Sequence, residues 1–224
     1  MTRLFGAVLA AGLMFAGAAQ ADGPARVRGQ LVSFNATQLV VETAQHEQIT
    51  VAMDPKTRFA LSHPATLSAV QPGGFVGIAT KDVAGKEIAL EVTIFPPAMR
   101  GAGEGHYPWD KLPDTTAPGG MAHSSMTNGA VSMAMPAPEV TTSMTNGNVN
   151  LANAAGGGKI LVLSYKGGTQ RIFVPAKAPV VALSPADASA LTVGDYVFVV
   201  ALPGPNGLTA AFVNEGADGL KLHN

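Results

Sequence analysis

The chain has 224 residues, a formal net charge of −1 and only 13% charged residues, which leaves no basic field for nucleic acid and no acidic tail. It contains no cysteine, and this excludes disulfide frameworks, thiolate metal cages and cysteine nucleophiles. With 26 glycines and 16 prolines it is turn-rich, yet short of the composition of a disordered chain.

Residues 1–21 read as a signal peptide. Met1-Thr2-Arg3 is a short basic start, Leu4 to Ala18 is uncharged and apolar, and Ala19-Gln20-Ala21 supplies a small-x-small cleavage pattern. The apolar run is shorter than the roughly 20 residues of a spanning helix. The expectation is therefore a periplasmic or secreted protein with no membrane span after the signal peptide is removed.

Strand-like segments follow in two matching sets. The first set is Gly29–Val32, Leu39–Val41, Gln48–Val51, Gly73–Ile78 and Ile88–Ile94, the last alternating apolar and polar residues strictly. The second is Gly147–Val149, Ile160–Leu163, Gln170–Val174, Gly194–Val199 and Ala210–Val213. Ala89 follows Gly77 by the same twelve residues that separate Ala210 from Phe198, so the two sets read as a duplication. Ala84-Gly85, Gly156-Gly157-Gly158, Gly167-Gly168 and Pro205-Asn206-Gly207 supply the positive φ that hairpins need.

A short helix is expected between the third and fourth strand of each set. In the second, Ser184 caps, Pro185 takes the first helical position and Asp187 the first turn; Ser62 and Pro64 stand in the same place in the first. Five strands with a helix after the third is the order of the OB-type Greek-key barrel. The expected fold is all-β, with two tandem five-stranded OB-like barrels, or a pair of sandwiches as the alternative. The expected modules are 22–97 and 140–224, joined by a Pro/Gly/Met-rich connector at 98–139. Ser125-Met126-Thr127-Asn128-Gly129-Ala130-Val131 nearly repeats as Ser143-Met144-Thr145-Asn146-Gly147-Asn148-Val149. The second copy leads into the second module, and the first fits an alternative or extra edge strand.

The run Ala98-Met99-Arg100-Gly101-x-Gly103-Glu104-Gly105-His106-x-Pro108-Trp109-Asp110, followed by Ser125-Met126-Thr127-Asn128, resembles an uncharacterised bacterial family of exported proteins. Its members are often labelled "metal ABC transporter permease". The resemblance implies two OB-like modules and an envelope location, and no catalytic residues. A permease needs several spanning helices, which this sequence does not contain.

Two residue sets could carry function. Arg100, Glu104, His106, Tyr107, Trp109 and Asp110 place charge, imidazole and aromatics on one glycine-rich segment, a common form for a ligand site. They also fit a structural role, which the residue types favour, with Trp109 plugging a barrel end or module interface and Arg100 pairing with Asp110 or Glu104. The second set is Met121, His123, Met126, Met133 and Met135, with Met144 beyond them. Thioethers with imidazole suit Cu(I) or Ag(I) in a compartment without free thiols. Methionine also fills apolar gaps between modules.

Catalytic signatures are missing. There is no Gly-x-Ser-x-Gly elbow, and Gly156-Gly157-Gly158-Lys159 lacks the Ser/Thr and first Gly of a phosphate loop. No cofactor is expected. Arg26, Arg28, Lys56 and Arg58 are too few for a nucleic-acid groove. The sequence therefore points to a non-catalytic binding or adaptor protein of the envelope whose partner is a protein or a glycan. Soft-metal binding through the connector is the alternative.

Overall fold

The computed structural model describes residues 23–137 and 158–222. The expected signal peptide at 1–21, the second Ser-Met-Thr-Asn copy with Met144, and Gly156-Gly157 lie outside the described residues. Those described form thirteen strands and four single 3-10 turns, with no α-helix among them. The strands are β1 (Ala25–Phe34), β2 (Gln38–Glu42), β3 (Gln48–Ala52), β4 (Arg58–Pro64), β5 (Phe75–Val83), β6 (Lys86–Phe95), β7 (Gly105–Pro113), β8 (Met121–Pro136), β9 (Lys159–Tyr165), β10 (Gly168–Val174), β11 (Val180–Ala186), β12 (Tyr196–Gly204) and β13 (Gly207–Gly216). No described helix is long and apolar enough to cross a membrane.

All thirteen strands belong to one hydrogen-bonded sheet, which is barrel-like because its pairings close twice. One circuit runs β1-β2-β3-β13-β12 and returns to β1, with β13 parallel to β3 and the other pairs antiparallel. The other runs β8-β9-β10-β6-β5 and returns to β8, with β10 parallel to β6. Each circuit therefore takes strands from both halves of the chain. The pairing does not divide the chain into the tandem modules expected at 22–97 and 140–224. The reason lies in β4 and β11. Each pairs with a strand of the circuit it left and with the other of the two, and the chain then continues into the other circuit. β4 lies antiparallel to β11 and parallel to β13, while β11 lies parallel to β6. The last two strands of each half thus complete the ring begun by the other half.

The duplication is present in register detail. Adding 121 carries the bulge at Ala79/Thr80 onto the one at Val200/Ala201. It also carries the 3-10 turn Leu67–Ala69 onto Ala188–Ala190. Leu31 bonds Gly194 and Asp195 through its backbone just as Val131 bonds Gly73 and Gly74. The two cores match position by position. Leu39, Val41, Val51, Val199 and Val213 fill the first ring, where Leu161, Leu163, Ile172, Ile78 and Val92 fill the second. Each such side chain, removed from water, stabilises the fold by about 1.5–3 kcal/mol.

Two expectations change. The expected helices are single 3-10 turns, since Ser184 and Pro185 belong to strand β11 and Ser62 and Pro64 to β4. The turn begins only at Asp187, whose carboxylate accepts from the Ser189 N–H at 2.8 Å. The cause is cross-strand pairing, which holds both segments extended against each other. The second change concerns 98–139. It contributes β7 and β8, and the first Ser-Met-Thr-Asn copy is the opening strand of the second ring.

Candidate functional site

The segment Arg100–Asp110 divides between two places. β7 pairs along β8 from Gly105 to Pro113, with a register shift between Pro108 and Lys111. That shift turns Trp109 and Asp110 toward β1 of the first ring. There Asp110 accepts from Arg26 Nε at 3.0 and 3.1 Å, from Arg26 Nη2 at 2.9 Å, and from Arg28 Nη1. The Arg26 guanidinium lies 4.1 Å from the Trp109 ring centroid, and that of Arg28 lies 4.6 Å from Phe198 on β12. Trp109 meets Phe198 at 6.2 Å and Tyr107 at 5.8 Å between centroids. Tyr107, Trp109 and Ala122 pack on a third small core of Ala79, Leu90, Leu112 and Met126. This is a seam of two arginines, one carboxylate and aromatics packed tilted and edge to face, and it ties β7 to β1.

The seam is partly closed to water, with the Arg28 and Asp110 side chains 24% and 30% exposed. Burial works against the Asp110 carboxylate, but hydrogen bonds from Arg26 and Arg28 outweigh it and hold its pKa below the ordinary aspartate value. Burial likewise draws Arg28 below the usual guanidinium value, against the pull of Asp110. Burial pushes the Tyr107 phenol up, opposed by the Arg26 charge. A carboxylate pinned in its charged form by two guanidiniums neither gives nor takes protons near neutral pH. The chemistry of the seam is cohesion. The structural option in the sequence reading put Trp109 at a barrel end or module interface and paired Arg100 with Asp110 or Glu104; Arg100 bonds neither carboxylate. The partners of Asp110 are Arg26 and Arg28, more than 80 residues earlier, and no local spacing signals that contact.

No family model, curated protein or solved structure matches this chain. Its function is therefore read from its own residues.

The other expected residues lie along the outer rim of β7. Arg100 donates through Nη2 to the carbonyl of Gly73 and lies 5.9 Å from the Phe75 ring centroid. Glu104 Oε1 accepts from the Lys166 N–H at 2.9 Å. His106 is exposed, bonds Thr127 Oγ1 through Nδ1 at 2.8 Å, and stacks on Tyr165 at 6.4 Å with 25° between the rings. The Tyr107 hydroxyl donates to the Gly103 carbonyl at 3.1 Å, and the buried Asn128 donates to the same carbonyl at 3.1 Å. These bonds fix a turn in which Gly101, Gly103 and Gly105 all take positive φ. Tyr165 was missed by the sequence reading, being the last residue of a strand otherwise read as core.

The methionine set is not brought together. Met126 is buried in the third core with Leu90 and Leu112. Met121, 62% exposed, and His123 share one face at the start of β8. Met133, 48% exposed, and Met135 lie about ten residues further along the same strand, roughly 34 Å away at strand rise. Two separate pairs result, each with two donors. Among the described residues no three His, Asp or Glu side chains converge on a common point.

Proposed function

We propose that this chain is an exported, non-catalytic binding or adaptor protein whose two strand circuits are OB-type barrels completed reciprocally by the two halves of the chain. The strand order first-second-third-fifth-fourth, with the third and fifth parallel, supports the OB reading. The signal-like residues 1–21 and the resemblance of the 98–110 and 125–128 motifs support an envelope location. The observation that carries the binding reading is the rim of β7. Here an exposed imidazole stacks on a tyrosine, with Glu104, Lys166 and Arg100 held around a rigid glycine turn. An aromatic platform beside fixed polar groups suits a glycan or the loop of an envelope protein. The soft-metal alternative rests on Met121 with His123, or on Met133 with Met135, acting as independent pairs.

The test is a His106→Ala/Tyr165→Ala variant compared with the wild type on a glycan array and in cross-linking capture from envelope extracts. Loss of a wild-type interaction at unchanged melting temperature supports the rim as the contact surface. An interaction that both proteins keep equally refutes it.

A further inference from the structure

The two rings are equivalent in register but not in their outer faces. On the second ring, Met133 pairs with Val162, Met135 with Ile160, Val162 with Arg171, and Ile160 with Phe173. Cross-strand neighbours share a face, so these six side chains form one outward patch, opposite in parity to the core residues Leu161, Leu163 and Ile172. The first ring has the same register, with Ser33 paired to Val40, Val40 to Thr50 and Gln38 to Ala52. At matching positions Met133 replaces Ser33, Met135 replaces Asn35, Ile160 replaces Gln38, Arg171 replaces Thr50 and Phe173 replaces Ala52. Only Val40 and Val162 are the same. A barrel of this register therefore does not need an apolar exterior here. One ring carries a polar face, the other an apolar one.

The patch also has a sign. β8, β9 and β10 contain no Asp or Glu, and Arg171 is the cation on this face, whereas Lys159 has the parity of the core residues Leu161 and Leu163. Lys159 caps the Leu67 carbonyl at 3.0 Å, and Arg171 is exposed with no ion pair among the described residues. Two copies placed face to face would oppose their Arg171 charges, and one guanidinium is too little to hold an anionic membrane surface. Aliphatic and thioether side chains around one guanidinium fit an apolar peptide with a neighbouring carboxylate. We propose that the outer face of β8–β9–β10 docks a polypeptide segment of another protein, aliphatic at its centre and flanked by Asp or Glu. This surface is separate from the β7 rim and does not depend on the reading given to that rim.

The test uses the full chain and two labelled synthetic peptides, each with a Leu/Val centre, one flanked by glutamates and one by lysines. Binding is followed by fluorescence anisotropy. A Met133→Ser/Ile160→Gln/Phe173→Ala variant transplants the first ring's own residues onto the second, in a register that already accepts them, and circular dichroism checks its fold. The wild type is expected to prefer the glutamate-flanked peptide by about tenfold or more, the triple variant to lose about tenfold in affinity, and Arg171→Glu to reverse the flank preference. Absence of binding to either peptide, or equal binding by the triple variant, overturns the proposal. Three further results would also overturn it by naming another occupant. The first is a wild-type dimer in light scattering that the triple variant abolishes. The second is peptide binding that emerges only when 138–157 is replaced by an Asn-Ala-Thr turn. The third is face-dependent binding to anionic vesicles without peptide binding.

Discussion

His63 and Ser184 are 121 residues apart, occupy the same position in the two repeats, and bond to each other, Nε2 to Oγ at 3.0 Å. Each is the other's counterpart. The contact lies between β4 and β11, which pair antiparallel with Ser62 opposite Leu183. Positions related by the repeat meet only close to an axis that exchanges the two halves. The β4–β11 pair is therefore the place where the chain crosses itself and where each half commits its last two strands to the other ring.

Equivalent glycines should then fail in the same way. Gly29 on β1 and Gly129 on β8 both leave no room for a side chain, because an added Cβ would lie 1.9 Å from the Glu42 carbonyl oxygen and 2.7 Å from that of Ser164. Gly29→Ala and Gly129→Ala are each expected to destabilise by about 2 kcal/mol or more, Gly29→Ala the more severely. Thermal melts check this. A benign outcome at both positions would remove the close strand approach inferred there.

The seam should respond more to loss of its carboxylate than to loss of one arginine. Asp110→Ala leaves both Arg26 and Arg28 uncompensated in a partly buried setting, at a cost of about 2 kcal/mol. Arg26→Met keeps the Arg28–Asp110 bond and much of the stacking on Trp109, and should cost less than half of that. In a protein of this size the first change lowers the melting temperature by about 4–8 °C. Equal losses for the two variants would contradict the shared-carboxylate geometry.

Two carboxylates should give opposite pH signatures. Asp110 has a depressed pKa in the fold, so its stabilisation is complete above the unfolded aspartate value of about 3.9 and is lost as pH falls through the folded value. Asp110→Asn should accordingly flatten the acid limb of the stability curve. Glu215 is buried on β13 beside Asp195, and burial raises its pKa although its Oε2 accepts from the Thr192 N–H at 2.8 Å. Its charging costs stability as pH rises from the unfolded glutamate value of about 4.3 through the folded one. Glu215→Gln should gain stability at neutral pH and none at pH about 3. Denaturant melts across this range decide both signs.

The β5–β6 hairpin offers a stabilising change. Ala84 and Gly85 both take positive φ, 53° and 76°, and Ala84 carries a Cβ where asparagine is better tolerated. Ala84→Asn should stabilise by about 0.5–1 kcal/mol. A loss of stability would show that the turn adopts another conformation in solution.

The strands of both cores were legible because they alternate or run apolar between glycine turns, as Leu39–Val41 and Ile160–Leu163 do. The duplication was legible from the shared spacing of Gly77 to Ala89 and Phe198 to Ala210. β8 was not, and its composition explains why. Ser124, Met126, Thr127, Asn128 and Gly129 are all buried, so the strand is covered on both faces and shows no period of two. The reciprocal completion of the rings left no local trace, since a strand reads the same whichever ring it joins. The candidate site split for a similar reason. Trp109 and Asp110 stood out as residue types, but Arg26, Arg28 and Phe198 reach them only through long-range pairing of β1 with β12.

The absence of cysteine allows a clean test of the reciprocal fold. Gln30 on β1 is the register partner of Tyr196 on β12, whereas in a tandem arrangement it would stand opposite the repeat counterpart, Phe75 on β5. Gln30→Cys/Tyr196→Cys should form an intramolecular disulfide under mild oxidation, seen by mass spectrometry of the tryptic digest, and Gln30→Cys/Phe75→Cys should remain reduced. Crosslinking of the second pair and not the first would contradict the fold on which the Arg26–Arg28–Asp110 seam depends.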